Sequence, residues 1–142
     1  MILTIDIGNT SCNFGVFANG RLRSCFTIPT HPMRTPRQVA AQLRRMAKAH
    51  RIRVDGEASV ILCSVVPRMS SVVVRALRSL GVRRIAVVGK DLRVPLVNRY
   101  RYPRQVGQDR LVGAYAAWCE FGDGALLKAG RRSLASPSKF MN

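Results

Sequence analysis

The chain opens on an apolar run, Ile2, Leu3, Ile5 and Ile7, that closes in Asp6-Ile7-Gly8-Asn9-Thr10-Ser11-Cys12-Asn13. Met1 to Ile7 reads as a central strand buried on both faces. A second strand, Asn13 to Phe17, follows so closely that the chain must turn straight back. A carboxylate at the end of a buried strand is costly unless something binds it. Gly8 allows a ligand close to the backbone, while Asn9, Thr10 and Ser11 offer amides and short hydrogen-bonding side chains. The segment therefore makes a cradle for polyphosphate with Mg²⁺ nearby. The simpler alternative is a hairpin turn, because Gly and Asn both tolerate positive φ. No GxGxxG follows the strand, which excludes the dinucleotide fingerprint. Gly89-Lys90 looks like the tail of a Walker loop, but Arg84 and Asp91 stand where that loop needs Gly and Ser or Thr.

Downstream, Arg21 to Ile28 reads as a third strand entered through the turn Ala18-Asn19-Gly20. Pro29, Pro32 and Pro36 mark a loop, and Thr35 with Pro36 reads as the cap and first position of a helix. Val39, Ala40, Leu43, Met46 and Ala47 recur at helical spacing and leave Arg37, Arg44, Arg45 and Lys48 on a solvated face. Ala58 to Val65 is a buried strand by composition. Ser70 reads as the cap of a second helix that runs to Leu80 and is closed by Gly81. Arg84 to Val88 gives another strand, Asp91 to Tyr102 is extended, and Gln108 to Phe121 carries a helical stripe at Leu111, Ala114, Tyr115 and Trp118. A hairpin pair leading into strand–helix–strand crossovers predicts an α/β domain with a mixed sheet flanked by helices.

The net charge of +17 raises the question of nucleic acid. The basic residues are spread along the chain, as in Arg21, Arg34, Arg53, Arg75, Arg93 and Arg110, and form no stripe interleaved with stacking aromatics. Weak, nonspecific RNA binding at low salt is expected, and specific binding is not. Cys12, Cys25, Cys63 and Cys119 are scattered without a CxxC pair, and His31 and His50 stand alone, so neither a disulfide frame nor a metal site is expected. No apolar run reaches the 18 or so residues of a membrane span. No basic leader precedes the first apolar stretch, so no signal peptide is expected, and the location implied is cytoplasmic.

A second constellation, Tyr100-Arg101-Tyr102-Pro103-Arg104-Gln105-Val106-Gly107-Gln108-Asp109-Arg110, opens the last helix. Gly107 allows a tight entry, and the free amides of a first turn attract anions. Asp109 could accept a proton from a substrate hydroxyl and Arg110 could pair with a carboxylate. The alternative is that Asp109 caps the helix and complements its dipole.

DIGNT at the start, Ser64-Val65-Val66-Pro67 in the middle and Y-x-x-P-x-x-V-G-x-D-R before a helix together resemble type III pantothenate kinase, over roughly residues 1–121. The resemblance implies a ribonuclease-H-like domain of the actin, heat-shock ATPase and sugar-kinase superfamily, in which paired domains bind ATP between them. It implies that Asp6, Ile7, Gly8, Asn9, Thr10, Ser11, Cys12 and Asn13 form the first phosphate segment of an ATP site. Tyr100, Gly107, Gln108, Asp109 and Arg110 then correspond to the pantothenate segment, with Asp109 as the general base. Gln108 departs from the alanine usual there. The cofactors implied are ATP with Mg²⁺ and a monovalent cation, K⁺ or NH₄⁺.

The family's next element, a strand ending in DxGTAxT, carries the second phosphate loop and the cation aspartate. Here Ala129-Gly130-Arg131-Arg132-Ser133 stands in its place, without carboxylate or threonine. The expected organisation is a kinase domain over 1–121 and a divergent, disordered basic tail over 122–142, with the second domain absent. A frameshift or interrupted gene is the expected cause, and the chain alone is expected to have little or no kinase activity. The family's homodimer, built partly through the missing domain, is not expected. The competing classes are a non-catalytic module binding nucleotide or pantothenate, and a basic nucleic-acid-binding protein.

Overall fold

The computed structural model describes residues 1–31, 35–122 and 135–136. The chain divides into two units, Met1–Asp91 and Leu92–Asn142.

The first unit contains β1 (Ile2–Ile7), β2 (Ser11–Ala18), β3 (Arg21–Pro29), α1 (Pro36–Ala49), β4 (Ser59–Ser64), α2 (Pro67–Ser79) and β5 (Arg84–Val87). Its sheet has the order β3-β2-β1-β4-β5. The β1–β2 and β2–β3 pairs are antiparallel, whereas β1–β4 and β4–β5 are parallel. This is the mixed α/β sheet expected of a ribonuclease-H-like domain. The β2–β3 hairpin turns on Asn19 and Gly20, both at positive φ, a geometry that matches the strands' right-handed twist.

Local chemistry sets the helix ends. Thr35 caps α1 in a full capping box: its Oγ1 accepts from the Gln38 N–H, and Gln38 Oε1 accepts from the Thr35 N–H. The second cap differs from expectation. Pro67 occupies the first helical position of α2, so the cap is Val66, and Ser70 lies inside the helix with its hydroxyl donating to the Val66 carbonyl. Proline's preset φ moved the start forward of the serine. Gly81, at φ +89, closes that helix as expected.

One core unites the unit. Leu3, Ile5 and Ile7 of β1 join Phe14 and Val16 of β2, Phe26 and Ile28 of β3, and Val60 and Leu62 of β4. Against them pack Val39, Ala40 and Leu43 of α1 and Met69, Val73, Ala76 and Leu77 of α2. Both helices thus cover the same face of the sheet. The expectation that β1 is buried on both faces is corrected here. Ile2 and Asp6 are exposed and Thr4 is half-buried, because strand side chains alternate and these three share the other face.

The second unit begins with extended chain, then β6 (Val97–Asn98), a single 3₁₀ turn (Pro103–Gln105) and α3 (Gln108–Phe121). Two residues, Ala135–Ser136, form β7 and pair antiparallel with β6. The rest of the expected basic tail lies outside the described residues. No residue of α3 is fully buried, and Tyr115 and Trp118 meet with ring centroids 6.1 Å apart.

Candidate functional site

The segment between β1 and β2 is a tight, tied turn at the carboxyl end of β1, where parallel α/β strands present ligands. The ladder persists to Ile7↔Cys12, and the Gly8 N–H then donates to the Ser11 carbonyl at 2.8 Å. Neither Gly8 nor Asn9 adopts positive φ, so the turn does not use the torsional freedom a simple hairpin reading invokes. Gly8 serves instead by its size: a Cβ there would stand 3.1 Å from the Ser11 carbonyl oxygen.

The eight residues divide by direction. Ile7 and Cys12 face the core at 0 % exposure, leaving only their backbone to the turn. Asp6, Asn9, Thr10 and Asn13 are exposed. Asp6 is therefore not the desolvated carboxylate the sequence suggested; its side chain is exposed. Asn13 Oδ1 accepts a hydrogen bond from Thr27 Oγ1 at 2.9 Å, which ties β2 to β3 beside the turn. Burial pushes the Cys12 thiol up, and the nearby Asp6 carboxylate adds to that. The thiol is thus neutral at physiological pH.

Two residues that sequence reasoning did not single out, Arg68 and Thr30, complete the surroundings together with Ser64. A cleft of about 430 Å³ beside the turn is lined by Asn9, Thr30, His31, Arg68, Val66 and Met69, among others. Arg68 belongs to the first turn of α2, and its side chain is exposed. Ser64 holds the entry to that helix, since its Oγ accepts from the Val66 N–H and donates to the Val66 carbonyl. Thr30 contacts the turn directly. A buried polar residue in a proline-rich loop was the available signal for it, but burial is not readable from residue type.

The Tyr100–Arg110 segment lies in the second unit. Asn98 organises it: its Oδ1 accepts from the Tyr100 N–H and its Nδ2 donates to the Pro103 carbonyl. Tyr100 is left 39 % exposed. Gly107 is the cap of α3 at φ −61, a conformation open to any residue, so the expected special entry at that glycine is not needed. Asp109 sits in the first turn without capping it, and both Asp109 and Arg110 are exposed. Among the described residues the ion pair within bonding distance is Arg53–Asp55, so Asp109 and Arg110 are not spent on each other. Gln108 is half-buried beside them.

A family model described as type III pantothenate kinase matches residues 2–129. The chain belongs to this family. A protein named type III pantothenate kinase from Rubrobacter xylanophilus is 31 % identical over 127 residues, covering 89 % of this chain and 48 % of that one. One from Agathobacter rectalis is 32 % identical over 131 residues, covering 89 % and 49 %. The Desulfovibrio desulfuricans protein is 34 % identical over 116 residues, covering 82 % and 44 %. The chain thus spans about half the length of the curated relatives it matches. The segment read as replacing the cation strand, residues 129–133, lies outside the described residues.

Proposed function

We propose that this chain carries the first phosphate segment and the substrate segment of a pantothenate kinase. The reaction is transfer of the γ-phosphoryl group of ATP to the hydroxyl of pantothenate, giving 4′-phosphopantothenate and ADP on the way to coenzyme A. The observation that carries this reading is the tied turn after β1, which leaves Asp6, Asn9 and Thr10 exposed around a glycine that admits no side chain without displacement.

Phosphoryl transfer asks a protein mainly for positioning and charge neutralisation. In this reading Gly8, Asn9, Thr10 and Ser11 hold the phosphates through amides and hydroxyls, and Ile7, Cys12 and Asn13 frame them. Asp6 offers the hard oxygen that suits a hydrated Mg²⁺, which binds such sites through one or two carboxylates plus phosphate oxygens. Bound Mg²⁺ supplies neutralisation of phosphate charge. Asp109 takes the proton of the pantothenate hydroxyl as its oxygen bonds to phosphorus and ADP leaves. Arg110 pairs with the substrate carboxylate, and Tyr100, Gly107 and Gln108 shape the surrounding contact. The family reading adds a monovalent cation, whose expected aspartate segment has no counterpart in residues 129–133. The reading is of a cytoplasmic enzyme, in keeping with four free cysteines.

The test is pantothenate-dependent ADP formation in a full-length version that restores the second domain, measured with Asp109 and with Asp109→Ala. Loss of a general base costs about 10²- to 10⁴-fold. An Ala variant as fast as wild type, or ADP formation indifferent to pantothenate, would overturn the proposal.

A further inference from the structure

Thr30 is the buried polar residue of the described chain, at 4 % exposure. It follows the last residue of β3, far in sequence from the turn after β1, yet its hydrogen bonds go there. Its Oγ1 donates to the Gly8 carbonyl at 2.9 Å, and its N–H donates to the Thr10 carbonyl at 2.8 Å. Cys12 Sγ lies 3.7 Å from the same Oγ1. A hydroxyl has one proton, and the Gly8 carbonyl takes it, so the thiol is the donor in the third contact.

These bonds have a directional consequence. In a planar trans peptide the carbonyl and the following N–H point in opposite directions. Turning the Gly8 and Thr10 carbonyls toward Thr30 therefore turns the Asn9 and Ser11 N–H groups away from it. Two amides are left aimed together from one short turn, the arrangement by which backbone nests hold anionic oxygens. A buried hydroxyl adds nothing to packing that an isosteric valine would not, so its contribution lies in these bonds.

We propose that Thr30 is the positioning residue of the Gly8–Ser11 turn, fixing the orientation of its amides and through them the affinity for a polyphosphate. The affinity part rests on the phosphate reading above; the orientation part stands on the hydrogen bonds alone. Thr30 touches no reacting atom and acts only through the turn.

The experiment compares wild type, Thr30→Val, Thr30→Ala and Thr30→Ser in the 142-residue chain. Amide exchange at Gly8, whose N–H is bonded within the turn, reads orientation, and Mg·ADP titration calorimetry reads affinity. Loss of one buried hydrogen bond should speed Gly8 exchange and weaken Mg·ADP by about 2- to 12-fold each in Val and Ala variants. Serine, which keeps the hydroxyl, should stay within about twofold of wild type in both. Amides of Ile5 and Leu62 should remain protected throughout, which a general loss of structure would not allow.

Unchanged Gly8 exchange in the Val and Ala variants would overturn the proposal. Faster exchange with undiminished Mg·ADP affinity would overturn its link to binding. A wild-type chain that binds no Mg·ADP would sink the phosphate reading instead, and the exchange data would still decide the role of Thr30.

Discussion

Gly8→Ala separates a structural glycine from a functional one. Because Gly8 has no positive φ, alanine meets no torsional penalty there, and the stiffer unfolded chain alone would favour it by about 0.4–1 kcal/mol. Contact opposes this. The new Cβ would lie 3.1 Å from the Ser11 carbonyl oxygen, so the neighbour must retreat by a few tenths of an ångström. That oxygen already accepts the Gly8 N–H at 2.8 Å, while the Gly8 carbonyl is held by Thr30 at 2.9 Å, so the turn has little slack. Overpacking of this kind costs about 1–3 kcal/mol, which after the entropic offset leaves a net loss between about 0 and about 2.6 kcal/mol. Binding should suffer more. Each charge-assisted hydrogen bond to phosphate is worth about 1.5–3 kcal/mol, so one misplaced amide weakens Mg·ADP about 10- to 100-fold. Urea denaturation reads the first quantity and calorimetric titration the second. A variant that loses stability yet binds Mg·ADP like wild type would refute the reasoning, since the glycine would then matter only to the turn.

Leu62, fully buried in β4, should cost about 2–5 kcal/mol as Leu62→Ala in the same urea assay; a loss under about 1 kcal/mol would place the core elsewhere. Thr35→Ala removes the side-chain half of the capping box of α1, the Oγ1 that accepts from the Gln38 N–H, and should cost about 1 kcal/mol, with no measurable change contradicting the cap. In the native chain a thiol reagent should label Cys25 and Cys119 quickly and the buried Cys12 and Cys63 slowly; fast labelling of Cys12 would contradict its position in the core. The Cys12 thiol is raised from 9.0, so its contribution to stability is complete below that pH and is lost as pH climbs toward the folded value. Wild type should therefore lose more stability between about pH 8 and about pH 10 than Cys12→Ala, and equal losses would count against the raised thiol.

The elements were legible where local chemistry decides them. Asn19-Gly20, Thr35-Pro36 and Gly81 each specify a backbone geometry, and the structure realises all three. The span Gln108–Phe121 was also readable, because the stripe and the preceding glycine agree. What failed depended on competition or on tertiary position. Pro67 outbid Ser70 for the helix start, a contest of propensities three residues apart. The less buried face of β1 was misread because Ile2 shares it with Thr4 and Asp6, and an apolar run hides its own alternation. Thr30 was invisible for a different reason. Its meaning comes from antiparallel pairing of β2 with β3, which brings residue 30 to the turn twenty positions earlier. The motifs named candidate segments, whereas the bonds that hold one of them in shape appeared only with the sheet.

The most direct test of a phosphate-binding turn is a ¹⁵N-resolved NMR titration of the 142-residue chain with Mg·ADP. The account predicts shifts concentrated at Gly8, Asn9, Thr10 and Ser11, persisting at high salt and moved by Gly8→Ala to about 10- to 100-fold higher Mg·ADP concentration. Shifts spread over the arginine-bearing surface and erased by salt would contradict it, and would assign the binding to the net charge of +17 instead.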